Sequence, residues 1–201
     1  NDEAMKASLS SCADDEIVVC CSGDGTTSEG EFWESLNSAS NLKLPVVYIV
    51  QDNGYAISVP VEVNTPGGKI SKLVASFPDL LVIQCDGTDF IDSYQAMGKA
   101  VAYARPRKGP ALVHAHVIRP YSHSLSDDER SYKTDAMREE EGLRDPIKRA
   151  AELLAEEYGV SPHELKEIEE SVKQELNAAA DEALESPQPD PSTVMLHLYS
   201  P

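Results

Sequence analysis

Two oxygen donors stand just past two short apolar runs. Asp24 follows residues 17–21 in EIVVCCSGDG, and Asn53 follows residues 46–50 in VVYIVQDN. If the runs are neighbouring parallel strands, the carboxylate and the carboxamide leave the sheet at the same edge, beside the start of the intervening helix. Oxygen donors at such an edge suit a hard cation holding a phosphorylated ligand. Mg²⁺ takes an octahedral oxygen shell, usually one or two carboxylates with phosphate oxygens and water. Asp24, Asn53 and a backbone carbonyl near Tyr55 would fill half of that shell, and a diphosphate much of the rest.

The elements that must hold these groups are legible around them. Ile17, Val18, Val19, Cys20 and Cys21 form an apolar run of the kind buried on both faces of a parallel sheet. Gly23 and Gly25 permit a sharp turn and let backbone N–H groups approach a ligand with no Cβ in the way. Ser28 and Glu31 have capping-box spacing, which predicts a helix start there, running through Phe32, Trp33, Leu36 and Ala39. Leu44 and Pro45 stop it before the second apolar run, so the positive end of its dipole faces the Asp24 turn.

The βα rhythm continues. Residues 64–71, NTPGGKIS, read as a turn-rich connection, 80–85 as a third strand, 89–104 as a helix and 111–118 as a fourth strand. Asp145-Pro146 and Ser161-Pro162 mark two further helix starts. The first of these helices carries Ile147, Leu154 and Tyr158, the second Leu165, Ile168, Val172 and Leu176. Residues 187–191, PQPDP, read as a linker, and Val194, Leu196 and Leu198 alternate like the start of a further segment. The expected fold is α/β, a mainly parallel sheet with helices on both faces and C-terminal helices. Its divisions are 1–145, 146–186 packed on the same domain, and a tail at 187–201.

Composition narrows the function. The chain has 201 residues, 41% of them hydrophobic, and no apolar run long enough to span a bilayer, so a globular domain without a membrane role is expected. Its net charge of −18 argues against a nucleic-acid partner, which would need a basic face. Cys12, Cys20, Cys21 and Cys85 lack metal-binding spacing and read as free thiols in a reducing compartment, with Cys20 and Cys21 buried on opposite faces of a strand. His114 and His116 share a strand face, but with no third ligand apparent they read as core or interface histidines. His163 and His197 read as surface residues, whereas His123 sits in a polar loop and reads as functional.

The stretch from Gly23 to Ser58 resembles the thiamin-diphosphate motif, which opens with Gly-Asp-Gly and ends in a double-Asn turn. Here the pair is Asp52-Asn53. The stretch DNGYAIS, followed downstream by Arg119-Pro-Tyr-Ser-His123-Ser-Leu-Ser-Asp-Asp128, is similar to the α-subunit of the decarboxylating component of 2-oxo acid dehydrogenase complexes, the branched-chain type above all. The resemblance covers most of residues 16–145. It implies Asp24, Asn53 and the Tyr55 carbonyl as Mg²⁺ ligands, and main-chain N–H groups at Gly25 and Thr26 for the diphosphate. Arg119 and His123 match basic residues of a loop that closes over the cofactor, His123 in a catalytic role, and Ser124 matches a serine phosphorylated in mitochondrial members. The departures are Asp52 for the first Asn, Gln51 where Arg or Glu is frequent, and His114 where Glu is usual.

The resemblance further implies oxidative decarboxylation of a 2-oxo acid, with acyl transfer to a lipoyl-bearing acyltransferase. A β-subunit or fused β-like domain would supply the rest of the site in a homo- or hetero-oligomer, so this chain is expected to be a fragment, inactive alone. The expected compartment is the bacterial cytoplasm, or the mitochondrial matrix in a eukaryote. Acetoin dehydrogenase and transketolase-like enzymes share the Asp24–Asn53 motif, and a catalytically inactive scaffold remains as the rival outside enzymes.

Overall fold

In a computed structural model, which describes residues 15–196 and Leu198, four strands form a parallel sheet with helices on both faces. Cys12 and His197 lie outside the described residues. The sheet contains β1 (Val18–Gly23), β2 (Val46–Asp52), β5 (Leu81–Asp86) and β6 (Ala111–His116), in the order β1-β2-β6-β5. All neighbouring pairs are parallel, with Gly23 opposite Gln51 and Asp52 opposite His116. A hairpin of β3 (Tyr55–Ala56) and β4 (Val59–Pro60) follows β2.

The alternation along the central strands sorts side chains into two cores. Tyr48, Val50 and Leu112 pack with Phe32, Leu36 and Ala39 of α1 (Gly30–Leu42) and with Ile70 of a short helix, numbered α3 (Ile70–Leu73) after α2 (Val61–Asn64). Val47, Ala111, Val113 and Ala115 pack on the opposite face against Ala96, Ala100 and Ala104 of α4 (Phe90–Ala104). The alanines recur every fourth residue, a small-residue stripe that lets the helix lie close to the sheet. Asp89 caps this helix by accepting the Asp92 N–H.

Two expectations for the first strand fail. Val18 and Val19 are 59% and 46% exposed, and the Cys20 and Cys21 thiols are exposed rather than buried. The strand lies at the edge of the sheet, with no strand beyond it among the described residues, so an apolar run suited to the centre is left uncovered. The capping box also fails. Ser28 donates its hydroxyl to the Asn64 carbonyl at 2.8 Å, a 3₁₀ turn spans Gly25–Ser28, and α1 begins at Gly30 with no side-chain cap.

Beyond the sheet come α5 (Asp135–Leu143), α6 (Pro146–Tyr158) and α7 (Pro162–Glu185). The described residues fall into two compact units, divided after Ala150. In the second unit Ser161 and Glu164 close a capping box at the start of α7, as their spacing predicts, and Pro191–Met195 forms a 3₁₀ turn after the linker. No helix of the described residues is long and apolar enough to cross a membrane.

Candidate functional site

Asp24 lies immediately beyond β1 and Asn53 immediately beyond β2, so the parallel register delivers both to one edge of the sheet. The backbone carbonyl of Asp24 accepts from the Thr27 N–H at 3.1 Å and from its hydroxyl at 2.7 Å, which fixes the turn. The Asp24 side chain is buried, and its Oδ2 has no hydrogen-bond partner among the described residues. Burial, then the neighbouring Asp52 carboxylate, push its pKa up; the amides of Asp24 and Asn53 and the Arg119 charge oppose this without cancelling it. A buried carboxylate oxygen with no hydrogen-bond donor, beside a second carboxylate, suits a cation.

The turn after β2 consists of two successive Asx turns. Asp52 Oδ1 accepts the Gly54 N–H at 2.9 Å and Asn53 Oδ1 the Tyr55 N–H at 3.1 Å, with Gly54 at a φ of 81°. The hairpin that follows lies against the first turn. A Cβ at Gly25 would fall 2.7 Å from the Ala56 Cβ, so glycine is required there by contact, not by backbone angle. Gly23 is half-buried and Thr26 exposed.

Arg119, past the end of β6, is the hub of the downstream loop. Its guanidinium donates to the Ile57 carbonyl at 2.8 Å and to the Tyr132 hydroxyl at 2.6 Å, and stands 6.0 Å from the Tyr55 ring centroid. Tyr132 donates to Asp127 at 2.5 Å, and the same Asp127 oxygen accepts the His123 backbone N–H at 2.8 Å. Loss of solvent and the Asp127 carboxylate push the Tyr132 hydroxyl up to about 12. The His123 side chain is exposed on this loop. The structure therefore gathers Asp24, Asn53, Tyr55 and Arg119 around one edge, with the Thr26 and His123 side chains facing solvent.

Lys133 gave no sequence signal, and the sequence did not show what His114 meets. Lys133 is buried, donates to Glu141 at 2.6 Å and to the Arg119 carbonyl at 3.4 Å, and lies 5.4 Å from the Tyr55 ring centroid. It thus ties the loop to the hairpin. His114 is fully buried between Asp52 Oδ2 at 2.7 Å and Ser71 Oγ at 3.0 Å. Burial pushes the Asp52 pKa up, but the His114 hydrogen bond and the Gly54 N–H outweigh it and hold the carboxyl below its ordinary value. The acidic residue near His114 and His116 was hidden because it belongs to another strand; only the β2–β6 register places it there.

An α/β domain with buried and turn-held oxygen donors at the C-terminal ends of parallel strands is, by class, a domain for a hard cation and an anionic ligand. The sequence pattern of the dehydrogenase E1 component family matches residues 4–192, and the chain belongs to that family, which uses thiamin diphosphate with Mg²⁺. It is 34% identical over 92% of its length to the pyruvate dehydrogenase E1 component subunit alpha of Porphyra purpurea, covering 53% of that protein. Against the mitochondrial somatic form of that subunit from Homo sapiens it is 33% identical over 92% of its length, covering 47%. The Mycoplasma pneumoniae subunit is 34% identical over 81% of the chain, with 45% of that protein covered. The chain thus spans about half the length of the curated relatives it matches. These relatives are of the pyruvate type, and none of them bears on the branched-chain likeness.

Proposed function

We propose that this chain supplies the cation and diphosphate half of a thiamin-diphosphate-dependent 2-oxo acid dehydrogenase. The observation that carries the reading is Asp24, buried with an unpartnered oxygen beside the Asn53 turn. Asp24, Asn53 and the Tyr55 carbonyl would hold Mg²⁺, a donor set of oxygens alone. Gly25 and Thr26 would offer backbone N–H groups to the diphosphate. The bound cofactor would supply the nucleophilic carbon and the electron sink for loss of CO₂ from a 2-oxo acid.

The protein's own part is binding and orientation. Arg119, braced by Tyr132 and Lys133, would set a positive charge near the anionic end. His123 would bring an imidazole, able to donate or accept a proton, on the same loop. Pyruvate is the substrate class favoured by the names of the relatives, and a branched-chain 2-oxo acid is the one favoured by the DNGYAIS stretch. A β-like partner would complete the site and a lipoyl-bearing acyltransferase would accept the acyl group. The compartment would be a reducing one, bacterial cytoplasm or mitochondrial matrix.

Calorimetry with Mg²⁺ and thiamin diphosphate tests the site. Asp24→Ala and Asn53→Ala are expected to lower cofactor affinity at least tenfold while circular dichroism stays that of the parent. Parent-like affinity in both variants would remove the assignment.

A further inference from the structure

A second set of donor atoms gathers around the Asp52 side chain at the same edge of the sheet. Along β6, His114 and His116 share a face at i, i+2, and the parallel register sets Asp52 of β2 directly opposite His116. One carboxylate oxygen of Asp52 and one ring nitrogen of each histidine lie within 4.8 Å of one another, and the two imidazole centroids are 4.3 Å apart. We propose that Asp52, His114 and His116 form a binding site for a divalent transition-metal ion of the Zn²⁺ class, separate from the hard-cation site at Asp24.

Ligand chemistry separates the two sites. Mg²⁺ prefers oxygens, which Asp24 and Asn53 provide, whereas imidazole nitrogen suits Zn²⁺, Co²⁺, Ni²⁺ and Cu²⁺. Two imidazoles and a carboxylate leave the fourth tetrahedral position to an exogenous ligand. His116 and Asp52 line a cavity of about 360 Å³, which gives the ion and that ligand a way in. Lys69, Arg144 and Glu141 line the same cavity, so water or a small anion can take the fourth position.

The protons also balance. His114 Nε2 faces Asp52 and its Nδ1 faces Ser71 Oγ, a hydroxyl that can donate or accept. When a metal takes Nε2, the single ring proton resides on Nδ1 and is donated to Ser71 Oγ, whose own proton turns away. Ser71 then orients the imidazole from behind. Metal–ligand bonds near 2.0–2.1 Å place tetrahedral donors roughly 3.3 Å apart, so the 2.7 Å His114–Asp52 pair must open while the wider separations, up to 4.8 Å, close. His116 is the least tightly held member: half-buried at a strand end, with a long 3.4 Å contact to Gln84 Oε1.

Cobalt provides the test, because tetrahedral Co²⁺ absorbs in the visible. The purified protein, stripped with chelator and kept in excess Mg²⁺, is titrated with Co²⁺ and then Zn²⁺. The expected result is a visible Co²⁺ spectrum saturating at one ion per chain, abolished by stoichiometric Zn²⁺. His116→Gln is expected to weaken Co²⁺ binding at least tenfold, and substitution of an exposed histidine outside both sites, His163→Gln, to leave it unchanged. His114→Gln should lose it too, and if that buried substitution disrupts folding, His116→Gln decides. No Co²⁺ spectrum in the parent, parent-like binding by His116→Gln, or loss of binding in His163→Gln would each overturn the proposal.

Discussion

Asp24 carries the tension of the cation edge. Its carboxyl is buried, faces Asp52 and has an oxygen with no partner among the described residues, so its pKa in the folded protein lies above the unfolded value. A carboxyl with a raised pKa binds its proton more tightly folded than unfolded. Without a cation, stability therefore falls as pH rises from about 4 through the raised value, and cation affinity grows over the same window as the proton leaves. Asp24→Asn removes the charge and keeps the shape. In chelator at pH 7 it is expected to be more stable than the parent, with a flatter pH slope, and to have lost Mg²⁺-dependent stabilisation. Denaturant unfolding with and without Mg²⁺ measures both, and a variant less stable than the parent in chelator would contradict this account.

Among the elements, the short hairpin after β2 sets the site's dimensions. It presses Ala56 against Gly25 while Tyr55 meets Arg119 and Lys133 on its other side. Gly25→Ala would drive a methyl to 2.7 Å from the Ala56 Cβ. Overpacking of that kind costs about 1–3 kcal/mol and would push the hairpin away from the Asp24 turn. We expect lower thermal stability and a Mg²⁺-thiamin diphosphate affinity reduced at least tenfold. Ala56→Gly in the same chain should recover most of both, because it removes the opposing methyl. Recovery of stability without recovery of affinity would show that the hairpin's position does not govern the cation site.

At the scale of the molecule, the residues proposed for the cofactor, His123 apart, would serve its cation and diphosphate end, and the chain spans about half the length of the relatives it matches. A ligand held at one end only loses orientation, a loss that reaches roughly 7–11 kcal/mol of barrier. With saturating Mg²⁺ and thiamin diphosphate, the 201-residue chain alone is expected to release no CO₂ from pyruvate or a branched-chain 2-oxo acid. Addition of a β-like partner is expected to restore release. Turnover by the chain alone on the order of 1 s⁻¹ or more would show that the second half is dispensable.

The sequence by itself determined the alternation of strands and helices, the two turns bearing Asp24 and Asn53, and the family. Each rests on information local in the chain: apolar runs, glycine and Asx chemistry, Pro at helix starts. The parallel pairing that joins the turns followed from the same rhythm. Position within the sheet was a different matter. Residues 17–21 have the composition of a central strand, yet β1 is an edge strand, and which strand lies outermost depends on packing between distant segments. Ser28 had the spacing of a cap, but a carbonyl 36 residues away at Asn64 claimed its hydroxyl. Asp52, His114 and Ser71 meet only because β2, β6 and α3 converge, and Lys133 is buried only because Glu141 and the Arg119 carbonyl surround it. Local propensity specifies elements and turns; the partners that set burial, charge and ligand grouping come from register between strands and from long-range contacts, which the tertiary structure alone decides.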